Sequence, residues 1–113
     1  MEFYFWKSPT GRSPVEEFLL KELDVQNSKK LLQRLELFKE FPNEHLWRSG
    51  DLKKFDNELC YLRIRLNKGF CRIFCTIEGQ ECVLIHAFLK KSDKIHKKEI
   101  KTAKERVHSY KSP

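Results

Sequence analysis

Leu59-Cys60-Tyr61-Leu62-Arg63-Ile64-Arg65-Leu66, then Asn67-Lys68-Gly69, then Phe70-Cys71-Arg72-Ile73-Phe74-Cys75-Thr76-Ile77 is the stretch on which the fold turns. The period is two on both sides of the turn. Cys60, Leu62, Ile64 and Leu66 alternate with Leu59, Tyr61, Arg63 and Arg65. Cys71, Ile73, Cys75 and Ile77 alternate with Phe70, Arg72, Phe74 and Thr76. Successive side chains on a strand point to opposite faces, so each run predicts a strand with one apolar face and one face of cations and rings. Glu78-Gly79-Gln80 makes a second turn, and Glu81–Leu89 is a mostly apolar run that suits a central strand. Loops this short predict an antiparallel meander.

Upstream of the meander the spacing becomes helical. Glu2–Lys7 is short, apolar and aromatic, and predicts a first strand closed by a turn over residues 8–14. Ser13 is placed to cap a helix, with Pro14 at its first position and Glu16 and Glu17 in its first turn. Phe18, Leu19 and Leu23 form its stripe. A second helix begins after Asp24–Ser28, with Leu31, Leu32, Leu35 and Phe38 on its stripe and Leu37 alongside. Phe41-Pro42-Asn43 ends it, because proline disfavours helix in the residue before it. So tight a junction predicts an antiparallel helical hairpin. Residues 43–58 read as polar and irregular, with a short strand within 51–55. Downstream, Ser92 or Asp93 is placed to cap a last helix whose face carries Ile100, Ala103, Val107 and Tyr110, with His96 at its start. The expected order is β-α-α-β-β-β-α, an α+β fold with an antiparallel sheet. No repeat or linker divides it, and the length fits one domain, 1–113.

The chain has 113 residues, with 23 Lys+Arg against 16 Asp+Glu, a formal net charge of +7. A hydrophobic fraction of 40% supports a core and excludes a disordered tail. No apolar run approaches the roughly 20 residues of a membrane span, and the first residues lack the pattern of a signal peptide. The expectation is a basic cytoplasmic domain with no membrane partner. Residues 1–56 carry 10 cations and 10 anions, whereas residues 57–113 carry 13 and 6. An excess confined to one half suggests a binding face; a solvated basic surface accounts for it equally well.

Cys60, Cys71, Cys75 and Cys82 do not have metal-ligand spacing, and no Cys-x2-Cys or His-x3-5-His pair accompanies them. Cys71 and Cys75 lie four residues apart on one strand, roughly 13 Å, too far for a single disulfide or ion. Buried free thiols are expected, and no metal or other cofactor.

Tyr61, Arg63 and Arg65 share a strand face, as do Phe70, Arg72 and Phe74. A hairpin places both sets opposite the cysteine–isoleucine side. His86, Phe88 and Lys90 share a parity on the third strand. One surface would then collect arginines, a lysine, a histidine and rings. Cations bind phosphates, and rings stack on unpaired bases at roughly 1–3 kcal/mol per base. That mixture suits single-stranded RNA. An outer polar face with ordinary cross-strand pairs fits the same pattern.

Four motifs in order carry a family resemblance: Leu59-Cys60-Tyr61-Leu62-Arg63-Ile64; Gly69-Phe70-Cys71-Arg72-Ile73-Phe74; Leu84-Ile85-His86-Ala87-Phe88-Leu89-Lys90-Lys91-Ser92; and Glu99-Ile100 with Ala103 and Arg106. Together they resemble the RelE/HigB toxins of type II toxin–antitoxin systems, in particular the phage-derived HigB-like branch. The resemblance implies a RelE-like microbial ribonuclease-type fold. It implies an endoribonuclease that cleaves mRNA on the ribosome without a metal, through attack of the substrate's own 2′-OH.

The implied catalytic residues are Arg72 for charge stabilisation, Arg63 as a second phosphate clamp, and Lys90 and Lys91 for the leaving oxygen or the phosphate. His96 lies close to the lysine pair, where related enzymes often place a tyrosine or histidine, and imidazole exchanges protons near neutrality. His86 matches a family histidine position, though a mid-strand histidine is more often structural. His45 and His108 read as surface. Tyr61 stands where relatives commonly have Glu, and Ala87 where they have Gly. Arg65, Phe70 and Phe74, with Lys94, Lys97 and Lys98, are the expected RNA-binding residues. The implied partners are mRNA, the ribosome and a cognate HigA-like antitoxin with a helix-turn-helix, through which alone the toxin meets operator DNA. Two alternatives stand beside this reading. One is a ParE-like toxin of the same fold that inhibits gyrase without cutting RNA; the other is a basic RNA-binding domain without catalysis.

Overall fold

The computed structural model describes residues 1–67, 69–90 and 95–112. In chain order they form β1 (Glu2–Phe5), α1 (Pro14–Lys21), α2 (Val25–Phe38), α3 (Asn43–Ser49), β2 (Leu52–Lys54), β3 (Cys60–Leu66), β4 (Gly69–Glu78), β5 (Glu81–Lys90) and α4 (Lys97–Lys111). The fold is α+β, with one five-stranded sheet in the order β1-β5-β4-β3-β2.

The meander and the short β2 strand appear as the alternation predicts. The sheet is mixed rather than antiparallel, because β1 pairs with β5 in parallel, Glu2 against Glu81 through Phe5 against Leu84. A strand that meets its partner some eighty residues later leaves no local mark; only loop-joined neighbours are readable from loop length. That pairing makes the apolar β5 run a central strand.

The helices begin and end where the local chemistry dictates. Pro14 opens α1 behind Ser13, although the Ser13 hydroxyl makes no cap bond and is buried without a partner. The Asp24 carboxylate accepts from the Asn27 backbone N–H at 2.7 Å, which starts α2 at Val25 rather than after Ser28. Leu31, Leu35 and Phe38 are buried on α2, whereas Leu32 is 45% exposed and belongs to the outer face. Residues 43–49 were expected to be irregular and instead form α3, between Pro42 and a left-handed Gly50 at φ +82°. Its two turns bury only Leu46 among their apolar residues, too little to display a period. The last helix is capped at His96, not at Ser92 or Asp93, which lie outside the described residues.

Two apolar cores lie on opposite faces of the sheet. On one, Leu62, Ile64, Ile73 and Leu84 pack with Val15, Phe18, Leu31, Leu35 and Leu46 from the first three helices. On the other, Leu59, Phe74, Ile85 and Phe88 pack with Ala103 and Val107 of α4. A bulge makes the second core possible. Phe74 pairs with His86 but Cys75 pairs with Leu84, so Ile85 is the extra residue and the facing of β5 shifts by one. Ile85 and Phe88 therefore both serve the α4 side, while Leu84 and Ala87 serve the other.

Phe74 is 0% exposed, enclosed by edge-on contacts from Phe55 and Tyr61 and a tilted contact from Phe88. It belongs to the core and cannot stack on a base. Phe74→Ala is expected to cost about 3–5 kcal/mol of stability, the usual range for an emptied aromatic site. Phe70→Ala, at a half-buried ring, is expected to cost much less. Urea denaturation of both variants checks this; equal costs would contradict it.

Candidate RNA-binding and catalytic cleft

Pairing of β3 with β4 and of β4 with β5 arranges one sheet face in three rows. They are Arg65, Phe70 and Lys90; then Arg63, Arg72 and Phe88; then Tyr61, Phe74 and His86. Directly paired residues point to the same side, so the grouping expected from the alternation is present. The expectation of one open surface is not met. The α4 helix covers the third row and part of the second, leaving Arg72 8% and His86 9% exposed. Only the first row reaches solvent freely, through Arg65.

Arg63 and Arg72 stand directly opposite each other. Like charges in that position repel. Each guanidinium lies over a ring instead of beside a carboxylate: Arg63 is 4.0 Å from the Phe70 centroid and Arg72 is 4.7 Å from that of Tyr61. Stacking of this kind is worth about 0.5–2 kcal/mol, more as water is excluded. Among the described residues neither arginine has an acidic partner. The Nε atoms of both are buried with no hydrogen-bond partner. An unmet buried donor costs about 1–3 kcal/mol. An anion bound against the pair would relieve the repulsion.

Beside this pair is a cleft of about 460 Å³, lined by Arg72, Tyr61 and Lys90, by Lys54 and Phe55 where β2 ends, and by Ile95 and Ile100 at the start of α4. Arg72, Lys90 and Tyr61 are thus brought together. Lys54, Phe55, Ile95 and Ile100 join them without having been singled out in the sequence. The short strand expected within 51–55 carried no pairing, and it is the β2–β3 ladder that brings Lys54 and Phe55 here. His96 is exposed at the α4 N-cap and does not line the cleft, although its neighbour Ile95 does. Lys97 and Lys98 are exposed on the first turn of α4. Lys91 and Lys94 lie outside the described residues.

His86 has a different place. Arg106 Nη1 is 2.7 Å from His86 Nδ1, and His86 Nε2 is 3.3 Å from Glu99 Oε1. A guanidinium can only donate, so Nδ1 accepts, Nε2 carries the proton, and Nε2–H donates to Glu99. Both ring nitrogens are engaged and the ring is neutral. Burial and the Arg106 charge push its pKa below the ordinary value, with Glu99 opposing them. Glu99 and Arg106 are the polar members of the last motif in the sequence, and their task here is to clasp His86 beneath α4. His86 is held against α4 by these two contacts and does not line the cleft.

The four cysteines are free thiols, Cys60 half-buried and the others buried. Burial pushes Cys71 up to about 12. A hydrogen bond with Cys82, together with burial, raises Cys75 as well. Protonated thiols are poor nucleophiles and poor metal ligands. Among the described residues no group of three His, Cys, Asp or Glu side chains is gathered closely enough to hold a metal ion.

Residues 19–108 match the model of a family described as phage-derived protein Gp49-like (DUF891). The chain belongs to that family, which lies within the RelE/HigB-like toxin superfamily. Comparison with curated proteins gives no match. The matched range holds both arginines, Lys90, His86 and the α4 residues that clasp it.

The state of His86 makes stability depend on pH. Its folded-state pKa lies below the unfolded one, so between the two values the unfolded chain binds more protons. The stabilisation is complete above the ordinary imidazole value of about 6.5 and is lost as pH falls toward the depressed folded value. Arg106 and Glu99 are the charged groups that face the ring. Melting temperature is expected to fall on acidification through this window, and His86→Gln is expected to flatten that slope. An unchanged slope in the variant would refute the assignment.

Proposed function

We propose, from this family membership and the geometry of the cleft, that the chain is the toxin of a type II toxin–antitoxin pair of the HigB kind. In this reading it is a metal-independent endoribonuclease that cuts mRNA on the ribosome. The observation that carries the proposal is the Arg63–Arg72 pair: two ring-stacked guanidinium groups, unmatched by carboxylates among the described residues, whose buried Nε atoms lack partners there, beside a cleft that holds Lys90.

The substrate 2′-OH loses its proton and its oxygen attacks the adjacent phosphorus. The P–O5′ bond breaks, and the products are a 2′,3′-cyclic phosphate and a 5′-OH that takes up a proton. Charge accumulates on the phosphorane's equatorial oxygens, where Arg72 and Arg63 supply fixed donors. Preorganised donors in a site of restricted water are worth far more than in bulk solvent. Lys90 supplies the cation nearest the leaving oxygen. Tyr61 holds the Arg72 plane from beneath and takes the place of the acidic residue common in relatives. His96, exposed at the α4 N-cap, and Lys91, next to Lys90 in the sequence, are candidates for the remaining proton transfer. Arg65 and Phe70 engage the adjoining nucleotide, and Lys94, Lys97 and Lys98 extend the field. The whole chain acts as one domain in the cytoplasm. Its partner is a HigA-like helix-turn-helix antitoxin, and that antitoxin carries the complex to operator DNA.

Arg72→Ala is expected to lower cleavage by about 10²–10³, the effect of losing one donor to a developing oxyanion. Arg72→Lys is expected to recover little, because an ammonium reproduces neither the planar stack nor the fork. Lys90→Ala is expected to relieve growth arrest in parallel. Primer extension on cellular mRNA after induction reads all three. Intact mRNA with inhibited gyrase would assign the chain to the ParE-like class. Full cleavage by both alanine variants would overturn the site.

A further inference from the structure

The N-terminal half is neutral overall and reads as scaffold, yet α2 brings two of its cations back to the sheet. Arg34 lines a groove of about 350 Å³ together with Arg63, Arg65 and Phe70. Its far wall is Ser49, Gly50 and Asp51 where α3 meets β2. A second hollow of about 350 Å³ continues from it along α2, bounded by Lys30, Gln33, Arg34, Leu37 and Arg65. Arg34 and Arg65 belong to both, so the two form one track. Lys30 and Arg34 stand four apart on a helix and so share a face.

Four cations border this track against one carboxylate, Asp51, which accepts from the Ser49 hydroxyl at 2.6 Å. Among the described residues Lys30 donates to an amide oxygen, that of Asn67, at 3.3 Å. Arg34 lies 5.8 Å from the Phe38 ring. Arg63 is common to the groove and to the catalytic pair, with its Nε unsatisfied. The track therefore ends at the arginine that faces Arg72 across β3 and β4, where the reacting phosphate is proposed to sit. Arg63 and Arg65, two residues apart on β3, are separated by about 7 Å. That is close to one phosphate step in an extended single strand, and Lys30 and Arg34 continue the line.

We propose that the cleavage cleft continues past Arg63 into this groove, where Arg65, Arg34 and Lys30 hold the backbone phosphates of the nucleotides flanking the one attacked. The inference rests on the ribonuclease reading and adds the path of the strand. Phosphate contacts of this kind position the substrate without reading its bases. An acidic antitoxin segment is the competing occupant; direct continuity with the Arg63–Arg72 pair favours RNA.

The test is the double variant Lys30→Ala/Arg34→Ala. Both side chains are exposed, so the fold is expected to survive, and melting temperature checks it. Binding is measured by fluorescence anisotropy with labelled 2′-O-methyl RNA, one probe a trinucleotide and the other about nine nucleotides long. The longer probe is expected to bind the variant several-fold more weakly. Its slope of log affinity against log salt should fall by about 1.4, at about 0.7 per lost phosphate contact on a single strand. The trinucleotide should bind both proteins alike. Wild-type affinity for both lengths in the variant, with mRNA still cut in cells, would overturn the groove and leave the ribonuclease reading intact. Uncut cellular mRNA with the wild-type protein would overturn that reading and the groove with it. Unchanged RNA binding with lost neutralisation by the antitoxin would assign the track to the antitoxin.

Discussion

Arg63 and Arg72 face each other across β3 and β4, where two fixed positive charges repel. A sheet built only for stability would place a carboxylate or a neutral pair there. Among the described residues no acid pairs with either arginine, and aromatic faces take up part of the charge, Phe70 at Arg63 and Tyr61 at Arg72. The arrangement is tolerable because the strands carrying it are secured on both sides. Leu62, Ile64, Cys71 and Ile73 anchor the same strands to the first core, and Leu59 and Phe74 anchor them to the second.

The bulge opposite Phe74 controls how much of the charged face stays open. Without it, Ile85 and Phe88 would point to opposite sides, and α4 would lose half of its seat on β5. With it, α4 packs firmly over the Phe74 end and stops short of the Arg65 end. Arg72 lies at the boundary. It is dry enough for its charge to act at strength, yet it opens into a cleft. His86 marks the same boundary from β5. Its clasp by Glu99 and Arg106 ties α4 to β5, and Ile95 and Ile100 at the start of that helix form a wall of the cleft.

The meander, its turns and the row of Tyr61, Arg63, Arg65, Phe70, Arg72 and Lys90 were legible because strand alternation is local and strict. Three features were not, each for a physical reason. The β1–β5 pairing is formed between segments far apart in sequence, and neither segment records whether its partner runs parallel. The α3 helix is too short for a period, and its boundaries rest on Pro42 and Gly50 rather than on pattern. The burial of Phe74 depends on where α4 lands, which alternation along β4 cannot express: a phenylalanine on a charged face reads the same whether a helix or solvent lies above it. The charge arithmetic misled in a related way. A half-chain balance of zero conceals that Glu36 on α2 and Glu40 beyond its end are exposed and outside the lining of the track, while Lys30 and Arg34 line it.

The tyrosine at position 61 follows from the same electrostatics. A carboxylate in its place would lie against Arg72, pair with it and supply the acceptor that its donors now lack. Such a pair would gain stability and would commit the guanidinium, because any anion would have to displace a charge already bound. A ring stabilises the cation from its face and leaves the N–H edge uncommitted. The Tyr61 ring lies 4.7 Å from the Arg72 guanidinium carbon and offsets part of its charge. The consequence is a site whose attraction for an anion is already present in the empty protein. Part of the cost is borne as unsatisfied donors at Arg63 and Arg72, and the two cores that grip β3 and β4 supply the stability to hold them there.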